Sequence, residues 1–206
     1  MRVNKKKFIY LISPNKIYKN IFKDLQKVFE TGKIGFFQLR LKKYSFKHKI
    51  LIGKKIKNIC KKYRVKFLVN DDPILAKRLG ADGCHLGQKD INIKEARKII
   101  GKKIIGITCH NSITLAKIAI KAKASYLAFG AFYSSKTKKT SHKAHFKILK
   151  KIKKITKTPI VAIGGINSKN YKKLLLNNAN FLAISGYVWN NKKYKHFENI
   201  KITKRN

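Results

Sequence analysis

Short apolar runs alternate along the chain with longer stretches in which apolar residues recur at helical spacing. The runs Phe8 to Ile12, Gly35 to Leu39, Phe67 to Val69, Gly83 to Leu86, Ile104 to Ile107, Tyr126 to Phe129, Ile160 to Ile163 and Phe181 to Ile184 read as eight buried strands. Between them, Phe46 to Tyr63, Ser112 to Ala122 and Ser168 to Leu176 show the periodicity of amphipathic helices. Strands buried on both faces and separated by helices are the pattern of a parallel α/β protein.

A weak internal repeat decides between an open sheet and a closed one. Gly80-Ala81-Asp82-Gly83-Cys84-His85-Leu86-Gly87, Lys123-Ala124-Ser125-Tyr126-Leu127-Ala128-Phe129-Gly130 and Asn178-Ala179-Asn180-Phe181-Leu182-Ala183-Ile184-Ser185 share one design. Each is a helix end, a small-residue turn, a four-residue strand, then Gly or Ser. Repetition of such units over eight strands predicts a (β/α)8 TIM barrel, with 206 residues near the short end for that fold. Catalytic groups in such a barrel lie at the carboxyl ends of the strands.

Composition adds bounds. The length suits one domain over residues 1–206, undivided by any Pro/Ser-rich linker. The basic start Met1 to Lys7 is followed by an apolar run that ends at Ile12, too short for a membrane span, so a soluble, cytoplasmic protein without membrane partners is expected. Cys60, Cys84 and Cys109 are unevenly spaced, which fits a reducing compartment better than a disulfide framework. The formal charge of +43 invites a nucleic-acid reading, but Lys is spread through nearly every helix, Arg is scarce, and Asn and Ile are abundant, as an AT-rich coding sequence would produce. Solvated helix faces account for the charge, while the field it creates draws in small polyanions.

Only eight acidic residues offset that charge, and Asp71, Asp72, Asp82 and Asp90 fall within one short stretch. Carboxylates kept together in so basic a chain point to a hard cation or a polar substrate. Reading the strand ends in order gives Gln38, Arg40 and Lys42 on one side of an extended segment, then Asn70 and Asp71, then Gln88 and Asp90, then Thr108-Cys109-His110-Asn111. The loop after the sixth strand, Ser134 to Thr140, is dense in hydroxyls and ammonium groups. Gly164-Gly165 and Ser185-Gly186 follow the seventh and eighth strands, where barrels build phosphate sites from exposed backbone N–H groups, and Asn167 and Ser168 are expected as helix N-caps.

These residues resemble the thiamine-phosphate synthase and thiazole tautomerase family. The resemblance runs through Gln38-Leu39-Arg40-Leu41-Lys42, Asn70-Asp71, the stretch from Gly80 to Asp90, Phe129-Gly130, Thr137-Lys138-Lys139 and Val161-Ala162-Ile163-Gly164-Gly165-Ile166. It implies a barrel that joins a hydroxymethylpyrimidine diphosphate to a thiazole phosphate with release of pyrophosphate, and Mg²⁺ as cofactor. Residue by residue, it implies that Asp71 and Asp90 hold the metal and that Gln38, Arg40, Lys42, Asn70, Thr108 and Lys138 contact the pyrimidine diphosphate, with Arg40, Lys138 and Thr108 catalytic. Ser135, Thr137, Gly165, Ile184 and Ser185 would meet the thiazole phosphate, the last three largely through backbone groups. The chain departs from the family's usual pattern in three places: Thr108 replaces a common Ser, Asp72 stands where a basic residue is frequent, and Gly130 to Ser135 lacks the usual prolines.

Plainer readings stand beside these. Asp72 reads as a solvated loop acid and Asp82 as a turn residue before Gly. The pairs Cys84-His85 and Cys109-His110 do not suit zinc, because neighbours on a strand point to opposite faces. His110 has two readings, an acid/base like that of the tautomerase relative, or a group that hydrogen-bonds phosphate or closes its loop. Alternative functions are a thiazole tautomerase on the same fold, with little use for Gln38, Arg40, Lys42, Asp71 and Asp90 together, and a non-catalytic basic nucleic-acid-binding barrel.

Overall fold

Each apolar run becomes one strand of a closed parallel barrel in a computed structural model that describes residues 7–134 and 142–190. The strands are β1 (Ile9–Ile12), β2 (Ile34–Leu39), β3 (Lys66–Asn70), β4 (Gly83–Leu86), β5 (Ile104–His110), β6 (Tyr126–Phe129), β7 (Ile160–Ile163) and β8 (Phe181–Ile184). They pair in sequence order, and β1 closes on β8. The helices are α1 (Ile21–Glu30), α2 (Phe46–Lys62), α3 (Pro73–Leu79), α4 (Ile93–Ile100), α5 (Ile113–Lys121), α6 (Phe146–Ile155), α7 (Tyr171–Leu176) and α8 (Gly186–Trp189).

Helix starts follow side-chain chemistry. Asn92 and Glu95 form a reciprocal capping box at α4, and the Ser112 hydroxyl accepts from Leu115 N at the head of α5. Asp72 caps α3 by accepting from Leu75 N at 2.8 Å, with Pro73 following, so this acid is a structural cap and not a solvated loop residue. Asp82 also does more than turn the chain: its carboxylate accepts from Phe67 N at 2.9 Å and from Lys66 Nζ at 2.8 Å, tying the foot of β3 to that of β4. Asn167 and Ser168 are not caps. The helix begins later, at Tyr171, while Asn167 heads the preceding turn by accepting from Lys169 N, and the Ser168 hydroxyl meets Tyr187 Oη at 2.7 Å. Asp24 accepts from Tyr18 Oη and Glu30 from Tyr63 Oη, each at 2.9 Å.

Two apolar cores result. The larger lies between the barrel and its helices. The smaller fills the barrel with Tyr10, Ile12, Phe36, Leu68, Tyr126, Ala128, Val161, Phe181 and Ala183. The register explains that set: Tyr10 lies opposite Phe36, Gly106 opposite Tyr126, Val161 opposite Phe181, and Ala183 opposite Tyr10. Aromatic edges lock the interior, with the Phe36 and Phe181 rings 4.9 Å apart and Tyr10 edge-on to Tyr126 at 5.7 Å. A Cβ on Gly106 would sit 1.8 Å from Tyr126 Cζ, so only glycine on β5 admits that ring.

Candidate functional site

The interior turns polar toward the carboxyl ends of the strands. On β2, Leu39 packs outward, while Gln38 is 98 % buried toward the inside and its Nε2 has no hydrogen-bond partner among the described residues. A buried amide donor left unpaired costs stability unless a ligand supplies the acceptor. Beyond the strand, Arg40 is clamped to the end of β1: its N–H donates to Ser13 Oγ at 2.9 Å, Ser13 Oγ donates back to Arg40 O at 3.3 Å, and its Nη1 donates to Asn15 Oδ1 at 2.9 Å. The Lys42 ammonium lies 3.0 Å from Asp71 Oδ2.

Asp71 follows Asn70 at the end of β3 in the left-handed backbone region, φ +65°, and its N–H donates to His85 O at 2.8 Å. Asp and Asn tolerate that region better than most side chains, and backbone held there concentrates at functional positions. Asp90 reaches the same place from the β4 loop, accepting from Gly87 N at 2.6 Å, and its carboxylate is within hydrogen-bonding reach of that of Asp71. Burial raises the Asp90 pKa above the ordinary carboxylate value. The Gly87 hydrogen bond opposes this, the charge and hydrogen bond of Asp71 raise it further, and Lys42 lowers it. A groove of about 540 Å³ opens beside the pair, lined by Lys42, Asn70, Asp71 and Asp72 and walled by Ile74 and Ile91.

Next to β4 on the rim, β5 runs beyond its expected end at Ile107, to His110. An irregularity between Thr108 and His110 leaves Thr108 opposite Ala128 and His110 opposite Phe129. Thr108 Oγ1 meets His85 Nε2 at 2.9 Å, and its carbonyl accepts from Gln88 Nε2. His110, at φ +52°, closes the loop: its carbonyl accepts from Gly130 N at 3.0 Å, and its ring lies 4.0 Å from that of His142, centroid to centroid.

The segment after β6 extends along β7, with Phe132 N donating to Ile163 O and Tyr133 N to Gly164 O. Gly164 and Gly165, φ +105° and +62°, make room for it: a Cβ on Gly165 would lie 2.3 Å from Ser134 O and one on Gly164 2.4 Å from Ala131 Cβ. Close approach of two loops therefore requires these glycines before any phosphate is considered. The Ile184 side chain is buried in the outer core, and Ser185 Oγ donates to Ser13 O at 3.2 Å. Ser135, Thr137 and Lys138 lie outside the described residues.

Sequence reasoning missed a hydrogen-bonded column beneath the mouth. Tyr10 Oη meets Tyr126 Oη at 2.7 Å, Tyr126 Oη meets His85 Nδ1 at 2.9 Å, and the His85 ring stacks on that of Tyr126. Strand alternation held the signal, since it puts Cys84 in the outer core and His85 on the inner face.

A closed parallel barrel with a carboxylate pair, an arginine, a lysine and an unpaired buried amide at the carboxyl ends of its strands defines a (β/α)8-barrel enzyme acting on small molecules. Residues 9–188 match the family model for thiamine monophosphate synthase. Thiamine-phosphate synthase of Pelagibacter ubique is 65 % identical over 204 residues, covering 98 % of this chain and 99 % of the relative. That of Erythrobacter litoralis is 40 % identical over 186 residues, covering 88 % and 87 %. Among solved structures, thiamine phosphate pyrophosphorylase from Pyrococcus furiosus superposes with a TM-score of 0.83 at 28 % identity over 96 % of each chain. The chain belongs to the thiamine monophosphate synthase family, and its activity is that of a thiamine-phosphate-forming transferase.

Proposed function

We propose that the barrel mouth condenses 4-amino-2-methyl-5-hydroxymethylpyrimidine diphosphate with a thiazole phosphate, giving thiamine phosphate and pyrophosphate by a dissociative substitution assisted by Mg²⁺. The observation that carries this reading is the convergence of Asp71 and Asp90 beside Lys42. Two carboxylates that crowd each other are relieved by a cation between them. An all-oxygen pair suits Mg²⁺, which commonly takes one or two carboxylates and completes its shell with water and substrate phosphates.

When bound, Mg²⁺ supplies positive charge to the diphosphate oxygens as they become a leaving group. Around it the chain's own groups do the rest. Arg40, already clamped at its backbone by Ser13, presents a guanidinium to the same oxygens. Lys42, now on Asp71, is a second cation for them once Asp71 takes a metal. Gln38 offers its unpaired amide to an acceptor on the pyrimidine, and Asn70 and Thr108 are assigned to the same substrate. Lys138, Ser135, Thr137, Gly165, Ile184 and Ser185 complete the assignment, the first toward the diphosphate and the others toward the thiazole phosphate. The aminopyrimidine carries the developing cation and the thiazole nitrogen brings its own lone pair. Positioning therefore replaces a general base.

The test is pyrophosphate release with both substrates and Mg²⁺, repeated for Asp71→Asn and Asp90→Asn. Turnover lost in both variants supports the assignment. Undiminished turnover in both would remove the metal role, and isomerisation of the thiazole without pyrophosphate release would make the protein a tautomerase.

A further inference from the structure

The column Tyr10, Tyr126, His85, Thr108 has a direction, and proton counting fixes it. Two contacts, Tyr10 to Tyr126 and Tyr126 to His85 Nδ1, must accommodate the hydrogens of the groups that meet there. Both phenols keep theirs, because full burial raises their pKa values well above the ordinary value. With Nδ1 bare there are two hydrogens for two contacts: Tyr10 donates to Tyr126, and Tyr126 donates to Nδ1. With Nδ1 protonated there are three hydrogens for two contacts, so one phenolic hydrogen is left pointing into the apolar interior formed by Phe36, Leu68 and Phe181. A buried donor without an acceptor is the costlier fault, whereas the unused lone pairs of Tyr10 are a minor one.

His85 therefore carries its hydrogen on Nε2, and that hydrogen points at Thr108 Oγ1, 2.9 Å away. The threonine oxygen is used as an acceptor, so its own hydrogen is left to turn into the mouth. We propose that His85 is a positioning residue that fixes the Thr108 hydroxyl as a donor toward the bound pyrimidine diphosphate, with Tyr126 and Tyr10 setting the histidine tautomer. The proposal rests on the functional reading above. It matches the ligand chemistry, because a diphosphate and a pyrimidine ring nitrogen offer acceptors. The unpaired Gln38 Nε2, also a donor, faces the same interior. A hydroxyl free to rotate would present a lone pair to those acceptors part of the time.

The first measurement is the ring-nitrogen spectrum of the ¹⁵N-labelled full chain, with His85 assigned by its loss in His85→Gln. A bare Nδ1 and a protonated Nε2 are expected. The opposite tautomer overturns the proposal, and so does an imidazolium at neutral pH. The second is a double-mutant cycle on pyrophosphate release. His85→Leu is expected to lower kcat/KM for the diphosphate substrate roughly tenfold with Thr108 present, and to add less than about twofold in a Thr108→Val background. His85→Gln, which can still place an N–H near Thr108, is expected to regain part of the loss. Equal losses in both backgrounds would make His85 merely structural and overturn the proposal. Tyr126→Phe keeps the ring packing while removing the phenol, and is expected to shift hydrogen onto Nδ1 in the same spectrum; an unchanged tautomer would overturn the role given to the tyrosines. A wild-type protein that releases no pyrophosphate would defeat the functional reading alone, because the tautomer is read without turnover.

Discussion

The ammonium of Lys42 sits 3.0 Å from one oxygen of Asp71, so an organic cation rests against the carboxylate pair of the rim. Asp71 and Lys42 act on Asp90 with opposite sign. Asp71→Asn is expected to lower the Asp90 pKa toward the ordinary carboxylate value and Lys42→Met to raise it further, measured by NMR titration of the Asp90 carboxyl carbon. The folded pKa of this acid lies above its unfolded one, so the folded state binds the extra proton. Its contribution to stability is present at low pH and is lost as pH rises through the raised pKa. The proposed Mg²⁺ site would need the ionised acid, so an affinity measured by calorimetry should fall as pH drops through that same window.

Asp71→Asn also separates chemistry from backbone strain. Asn accepts positive φ as readily as Asp, so the melting temperature should stay within a degree or two of wild type while turnover falls by about two orders of magnitude or more. Asp71→Ala should lose the same activity and in addition about 1 kcal/mol of stability, read by denaturant unfolding.

Gln38→Leu should move stability and activity in opposite directions. It removes a buried donor that has no partner, which stabilises the free protein by roughly 1 kcal/mol, and it removes the donor a ligand would use. A higher melting temperature with KM for the diphosphate substrate raised about tenfold is the expected pair of results; a lower melting temperature would mean the amide is satisfied in the free protein.

Gly106→Ala should be strongly destabilising. The new Cβ would lie 1.8 Å from Tyr126 Cζ, and overpacking of this kind costs about 1–3 kcal/mol or more. Pairing it with Tyr126→Phe should recover little, because the clash is with ring carbon; recovery to wild-type stability would show that the ring had moved.

Asp72→Ala should behave unlike its neighbour. Loss of the cap to Leu75 N costs about 1 kcal/mol in denaturant unfolding, while pyrophosphate release persists.

The strand ends were legible because each is marked locally. β4, β6, β7 and β8 lie where their four-residue runs place them, bounded by small turn residues, and the residues just past those ends line the mouth. What stayed hidden depends on partners distant in sequence. The link from Asp82 to Phe67, the placement of Lys42 on Asp71, and the column from Tyr10 to Thr108 are all set by the register of a closed sheet. No periodicity in one segment reports that. The Gly164-Gly165 pair was legible as a special turn, but its first reason, the backbone of Ala131 to Ser134 lying against it, needed the neighbouring loop.

Seven of the eight acids fall among the described residues, and every one is already engaged: Asp24 and Glu30 by tyrosines, Asp72 and Glu95 as caps, Asp82 between strands, Asp71 and Asp90 at the mouth. Replacing any of the last five would take with it a helix start, a strand tie or a carboxylate of the mouth.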